Sequence, residues 1–366
     1  MFSSNTGFLT PDPRGPAPLR GVGCAEAKKD PRGLCLGARF LATVAVSMGL
    51  AALPSSVLAA DAPAPAQSQT RWITLGTQGG PRINSTRAQP ANLLIVRGTP
   101  YLFDAGNGVG RQLALAKIPI TTISHIFITH NHDDHNADWG TLMGLEWSLG
   151  RTAPITVYGP RGTESMLLGF EQYFLPNVAN RTFKEAKPKP PSEVFFAHDI
   201  EQEGLVYKDD NIQVTAHENC HFHYAPGQPG YGWQKSYSYR IQTPDRTIIY
   251  VGDTGECSNG LAEFAHGASI LIDEVIDLAT VQKAMQHDPS VAYTADKIPE
   301  LMEHMRTEHS TPETVGKLAA EAGVGMVILT HLVPGSDQLP DSAYSDGVRK
   351  YFKGKVVVAR DLQVFD

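Results

Sequence analysis

The seven residues Thr129-His130-Asn131-His132-Asp133-Asp134-His135 hold three imidazoles and two carboxylates. Neutral imidazole and carboxylate are the usual protein donors to zinc and similar divalent cations at neutral pH. The stretch follows an apolar run, Ile123 to Ile128, that reads as a buried strand. His130 and His132 are two apart, so extended chain points them the same way. Asp134 and His135 follow where the chain must turn. Ligand groups this close, His130 with His132 and Asp134 with His135, suit two metals better than one.

More donors lie at the ends of later apolar runs. Ile212 to Ala216 leads into His217-Glu218-Asn219-Cys220-His221-Phe222-His223, with three candidate imidazoles. Of these, His221 and His223 share a phase in extended chain. Thr247 to Val251 ends in Gly252-Asp253-Thr254, and Ile270 to Ile272 ends in Asp273-Glu274. Glu308-His309-Ser310-Thr311 opens a helix that Ser310 or Thr311 caps, with Pro312 early and Glu313 three residues beyond Ser310. Gly323 stops that helix after Ala322. The strand Met326 to Thr330 then delivers His331. A helix and a strand separate His309 from His331, a crossover that returns both to one sheet edge.

The remaining elements must position these donors. Arg71 to Thr77 reads as a first strand, ended by Gly79-Gly80-Pro81. Ala91 to Val96 and Tyr101 to Asp104 read as a hairpin around Gly98-Thr99-Pro100. A helix follows near Arg111 to Ala116. Another is expected from about Asn136 to Leu149, with Leu142, Leu145 and Leu149 facing the core. Ile155 to Tyr158 is a strand and Glu164 to Tyr173 a helix. Phe174 to Glu193, with Lys184, Lys187 and Lys189 among three prolines, is expected to be an irregular solvated loop or a substrate-side lid. Tyr224 to Gln234 forms a loop whose Tyr231 and Trp233 either pack or meet an apolar substrate group. Ser236 to Ile241 pairs with Thr247 to Val251 as a hairpin. Val275 to Arg306 is expected to make a cap, and Lys355 to Val358 and Leu362 to Phe365 close the chain.

The chain has 366 residues, enough for one large or two ordinary domains, and a formal charge of −7. The first 60 residues hold six Lys/Arg against three Asp/Glu, so the rest is more acidic than the whole. An acidic body disfavours nucleic acid as the main partner and favours a small-molecule substrate. Residues 1–60 read as a leader: Lys28, Lys29, Arg32 and Arg39 precede the apolar, small-residue stretch Leu41 to Ala60. Cleavage near Ala59-Ala60-Asp61 would release a periplasmic or secreted protein with no stable membrane insertion. An uncleaved anchor is the competing reading, weakened by Pro54, Ser55 and Ser56. Residues 61–70 are a stiff Pro/Ala linker, and residues 71–366 form the folded domain. Of the four cysteines, Cys24 and Cys35 lie in the leader. Cys220 and Cys257 are expected as packed or free thiols, with a Cys220–Cys257 disulfide in an oxidising compartment as the alternative. No Cys-x-x-Cys pair supports a thiolate zinc site. A homodimer is the default oligomer.

The His-x-His-x-Asp-His stretch after an apolar strand resembles the signature of the metallo-β-lactamase superfamily. His-Ser-Thr at 309–311 leans towards its ribonuclease Z-like branch, and residues 71–366 are covered. The resemblance implies an α/β fold, the αββα sandwich: two mixed sheets between helix layers, with metals at one sheet edge. It implies two zinc ions, other divalent metals or iron being alternatives. His130, His132 and His221 would hold one, with His217 or His223 as alternatives to His221. Asp134, His135 and His331 would hold the other, and Asp253 would bridge the two. A zinc-activated water near neutral pH would be oriented by Asp134. His309, steered by Glu274, would act as general acid, unless it only caps its helix. His223 would bind substrate. Asp104 would hold an imidazole from behind, or simply cap a helix. The chain departs from the branch in carrying Asp273 where His is usual. It also lacks an evident RNA-gripping arm. The implied activity is phosphodiester hydrolysis by an exported enzyme, with β-lactam, aryl sulfate or lactone hydrolysis as alternatives. A non-catalytic or di-iron redox protein is the reading from another class.

Overall fold

Alternate residues of most strands enter different cores, which fixes the layers. In β1 (Thr70–Gly76), Trp72 enters one core while Ile73 and Leu75 enter another. In β2 (Ala91–Val96), Leu94 and Val96 join Trp72, and Leu93 and Ile95 join Ile73. A strand buried on both faces reads as a continuous apolar run, as these do. We describe a computed structural model, and residues 69–83, 85–184, 189–256, 258–287, 294 and 296–366 are the described ones. They belong to the unit Pro63–Asp366. The predicted leader, its cleavage site and the anchor alternative lie outside them. Among the described residues, no helix is long and apolar enough to cross a membrane.

Two seven-stranded sheets face each other. The first adds β3 (Thr99–Ala105), β4 (His125–Phe127), β5 (Ile155–Pro160) and β6 (Phe195–Ile200) to β1 and β2, with β14 (Gln363–Phe365) at its other edge. The second runs β13 (Lys355–Val358), β12 (Met326–Val333), β11 (Ile270–Ile276), β10 (Thr247–Tyr250), β9 (Tyr237–Gln242), β8 (Gln213–Glu218) and β7 (Gly204–Lys208). Each sheet is mixed: β3 to β6 run parallel, as do β10 to β13.

Between the sheets lie Trp72, Phe103, Phe127, Tyr239, Tyr250 and Ile328. Removing each such side chain from water contributes about 1.5–3 kcal/mol. The outer face of the first sheet is covered by α1 (Val109–Leu115), α3 (Trp139–Ser148) and α4 (Thr163–Lys184). The second is covered by α5 (Leu261–Phe264), α8 (Pro312–Ala322) and α9 (Asp341–Tyr351). This is the expected αββα sandwich. Short α2 (Asp133–Asn136) follows β4, and α6 (Leu278–His287) and α7 (Ile298–Thr307) lie between β11 and α8, where a cap was expected from Val275; Val275 and Ile276 instead end β11.

Several local expectations needed correction. The helix expected to stop at Tyr173 continues as α4 to Lys184, through Pro176. Phe170, Phe174 and Val178 hold it by packing on the first sheet's outer core. Much of the region expected as loop is therefore helix. In α3, Leu142 is buried but Leu145 is 47% exposed, and Leu149 beyond the helix end is 67% exposed. Leu142, Met143 and Trp147 take the core face instead. The strands β6 and β7 and helix α9 were not anticipated. The cap of α8 is Thr311, whose side chain accepts from Thr314 N–H, and Gly323 ends the helix at φ +64°.

Candidate metal centre

The ligands sit past strand C-terminal ends on one edge of the sandwich, except His331, which lies within β12 near its C-terminal end. Two residues past β4, Thr129 links both sheets: its carbonyl accepts from Tyr237 N–H at 2.9 Å, and its own N–H donates to Asp104 at 2.8 Å. Gly252 at φ +70° makes this approach feasible, since a Cβ there would meet the Thr129 side chain at 2.9 Å. α2 then folds Asp134 and His135 back under His130. Asp104 (φ 56°) and His331 (φ 41°) occupy the left-handed region. That conformation costs about 1–3 kcal/mol for a non-glycine residue and concentrates at functional sites.

The imidazoles converge. His130 Nε2 lies 3.0 Å from His132 Nδ1, and His221 Nε2 lies 3.1 Å from the same atom. Beside this trio, His331 Nε2 stands 3.2 Å from both Asp134 and Asp253 carboxylate oxygens. His135 Nε2 stands 3.2 Å from the other oxygen of Asp253 and 3.5 Å from Asp134. The two oxygens of Asp253 thus face different imidazoles, and one lies 4.0 Å from His130. The donor atoms of His130, His132 and His221 lie within 4.8 Å of one another, as do those of Asp134, His135 and His331. Asp253 shares a further such group with His130 and His135. All seven residues of the predicted ligand set therefore meet.

Charge and hydrogen bonding test whether this set suits a cation. Burial, reinforced by neighbouring imidazoles, holds His130 well below its ordinary pKa. Burial likewise lowers His132 and His221, with Asp253 opposing. Three imidazoles favoured in the neutral form thus bring ring nitrogens within 4.8 Å of one another. Burial would raise Asp134 and Asp253, but His135 and His331 overcome it, bringing Asp134 down to about 2 and Asp253 well below its usual range. His135 Nε2 and Asp253 Oδ1 are buried, face each other and make no hydrogen bond. Buried polar atoms without hydrogen bonds need a reason. A divalent cation among them supplies one, so the residues fit a metal.

The outward nitrogens are held by protein acceptors, which sets each ring's tautomer and angle. His135 Nδ1 meets Asp104 at 2.8 Å, and His221 Nδ1 meets the Glu308 carbonyl at 2.8 Å. Asp104 also accepts from Thr129 and, at 2.6 Å, from the Tyr250 hydroxyl. Asp104 lies in β3 and caps no helix; Gly108 is the N-cap of α1. Replacing Asp104 with Asn is expected to weaken metal affinity about 10–100-fold. Competition with a fluorescent chelator measures it; unchanged affinity would make Asp104 a fold residue only.

Comparison with known families settles the ancestry. A model described as the β-lactamase superfamily domain matches residues 99–332. This chain belongs to the β-lactamase superfamily. Within it the chain resembles the ribonuclease Z-like branch of the metallo-β-lactamase fold, and its ligand clusters suit a metal-dependent hydrolase. It is 29% identical over 266 residues to a ribonuclease Z of Mycobacterium sp. (strain KMS), covering 72% of this chain and 84% of that one. Human tRNase Z, short form, shares the fold at TM-score 0.54 and 22% identity, over 81% of this chain and 98% of that one. The metallo-β-lactamase fold protein YhfI from Bacillus subtilis does so at TM-score 0.55 and 19% identity, over 81% and 98%.

In this superfamily member, His309 is not the N-cap of α8; it is buried beside the centre. Its Nδ1 meets Glu274 at 2.7 Å and lies 3.7 Å from Asp253. Burial disfavours its charged form, but Glu274 and then Asp253 hold its pKa above the ordinary value. Glu274 also accepts from Thr254 N–H at 2.8 Å. Of the alternative imidazoles, His217 pairs with Glu203 at 3.0 Å and stacks on Phe264, outside these ligand groups. His223 is exposed on the following loop. Cys220 is disulfide-bonded, which corrects the free-thiol expectation; Cys24, Cys35 and Cys257 lie outside the described residues. Sequence reading missed Phe222, whose ring packs on His130, His132 and His221, and His304, whose ring lies 5.9 Å from His309. Neither belongs to a ligand motif, so nothing in the sequence marked them.

Asp273 is fully buried, and burial, then the Glu274 and Asp253 charges, push its carboxyl well above the usual range. An acid with a raised folded pKa stays protonated while its unfolded counterpart ionises. Stability is therefore lost as pH rises from about 4 towards the folded value, by up to about 1.4 kcal/mol per unit. Asp273→Asn is expected to remove that slope. Urea unfolding at pH 5 and pH 8 should show the variant gaining on the parent at the higher pH; parallel curves would contradict it.

Proposed function

We propose that this chain is an exported hydrolase that holds two zinc ions and cleaves phosphodiesters of small molecules. The observation that carries the reading is the His309–Glu274 pair, an oriented proton donor set beside Asp253. The seven-residue set would hold the zinc, which would supply Lewis acidity and a nucleophilic water near neutral pH. Asp134, held between His135 and His331, would orient the attacking water. Glu274 fixes His309 through Nδ1, which leaves Nε2 to hand a proton to the departing oxygen. The neutral trio His130, His132 and His221 and the ionised pair Asp134 and Asp253 would leave two dications only half-neutralised, which suits an anionic ester.

Ribonuclease Z relatives support phosphodiester chemistry. The acidic chain supports a small substrate over RNA. The leader-like residues 1–60 support export, and so does the disulfide at Cys220, since such bonds persist in oxidising compartments. Initial rates on a chromogenic phosphodiester and a chromogenic β-lactam, with zinc, test the reading. Phosphodiester turnover that Asp134→Ala removes is the expected result. Dominant β-lactam turnover would move the assignment to antibiotic hydrolysis.

A further inference from the structure

A line of rings runs from solvent to the proton donor. Tyr224 stacks on Phe222 at 5.6 Å and 30°. Phe222 lies 4.7 Å from His221, His221 lies 5.3 Å from His309, and His309 lies 5.9 Å from His304. The outer end is open: Tyr224 is 38% exposed, and Tyr231 and Trp233 on the same loop are 54% and 42% exposed. The loop is shaped around the tyrosine. A Cβ on Gly230, at φ +105°, would meet the Tyr224 ring at 3.0 Å. Burial and then the Glu308 charge raise the Tyr224 hydroxyl above its ordinary pKa, and the Glu308 carbonyl meets His221 Nδ1 at 2.8 Å. At the inner end of the line, His304 is partly exposed and ion-paired with Glu308 at 3.1 Å.

We propose that Tyr224 is a specificity-determining residue. It forms, over Phe222, a stacking subsite for a flat aromatic group carried by the substrate next to its scissile phosphorus ester. The argument rests on the phosphodiester reading for the ester and on the ring geometry for the aromatic group. Phe222 is committed to backing the ligand imidazoles, so the exposed face available to a substrate is that of Tyr224. Offset stacking on one tyrosine is worth a few-fold to tenfold in affinity. The selected substrates are therefore aryl or heteroaryl phosphodiesters rather than alkyl ones.

Calorimetric binding to the zinc-loaded full chain tests this without turnover. Phenylphosphonate and methylphosphonate carry the same anion and differ only in the ring. The parent should bind the phenyl compound about five- to tenfold more tightly. Tyr224→Ala should bring that ratio close to one, and Tyr224→Phe should keep it. Equal affinities in the parent, no binding of either compound, or a ratio that survives Tyr224→Ala would each overturn the subsite. Turnover of methyl 4-nitrophenyl phosphate, measured separately, reports on the phosphodiester reading alone. A preserved phenyl preference with no turnover would keep the subsite and discard that reading.

Discussion

Asp253→Asn is expected to lower phosphodiester turnover by about 10³–10⁴-fold, or roughly 4–5.5 kcal/mol of transition-state stabilisation. The substitution keeps the shape and removes one charge and one donor oxygen. In the parent, the two oxygens of Asp253 face His135 and His331 at 3.2 Å each, and one reaches to 4.0 Å from His130. Among the described residues, no other carboxylate is within ion-pair distance of imidazoles from both sets: Asp134 meets His135 and His331. Losing Asp253 therefore uncouples two metal positions rather than weakening one. Metal analysis should find bound zinc falling towards one per chain or below. Near-parent rates with full metal content would show that Asp253 is a bystander of the turn.

The second large effect concerns proton donation. His309→Ala is expected to lower turnover by about 10²–10⁴-fold when the leaving group is a poor one, such as an alkoxide. For 4-nitrophenolate, which departs without protonation, the loss should be far smaller. The geometric ground is the 2.7 Å contact that orients His309 through Glu274. Glu274→Gln should follow the same pattern at lower amplitude, because it weakens the orientation without removing the imidazole. A uniform loss across leaving groups, accompanied by loss of metal, would make His309 a ligand. That outcome has a structural basis to exclude, since His309, Glu274, Asp253 and His331 also lie within 4.8 Å of one another.

Much of the centre was legible because metal chemistry restricts residue type and folding restricts position. Apolar runs ending in His or Asp mark strand ends, and a sandwich gathers those ends on one edge. Hence His130, His132, Asp134, His135, Asp253 and His331 could be placed from spacing and resemblance together. The resemblance favoured His221, but extended-chain phase left His223 open; the turn after β8 brings His221 into the group with its Nδ1 tied to the Glu308 carbonyl. What stayed illegible depends on contacts between distant elements. Tyr250 and Asp104 are 146 residues apart, and their hydrogen bond follows from sheet packing that no local pattern encodes. The full length of α4 escaped notice because Pro176 and the lysines resemble a loop locally, while Phe170 and Phe174 pack tertiarily. Leu145 shows the converse error, an apolar residue at helical spacing that faces solvent.

The central claim is a two-zinc site that performs hydrolysis, and a stoichiometric titration tests it most directly. Zinc would be added to the metal-free protein while bound metal per chain and the initial phosphodiester rate are followed together. The account predicts a rate that rises steeply with the second equivalent and levels at two zinc ions per chain, in the parent but not in Asp253→Asn. A rate that saturates at one equivalent, or two bound zinc ions with no phosphodiester hydrolysis, would contradict it.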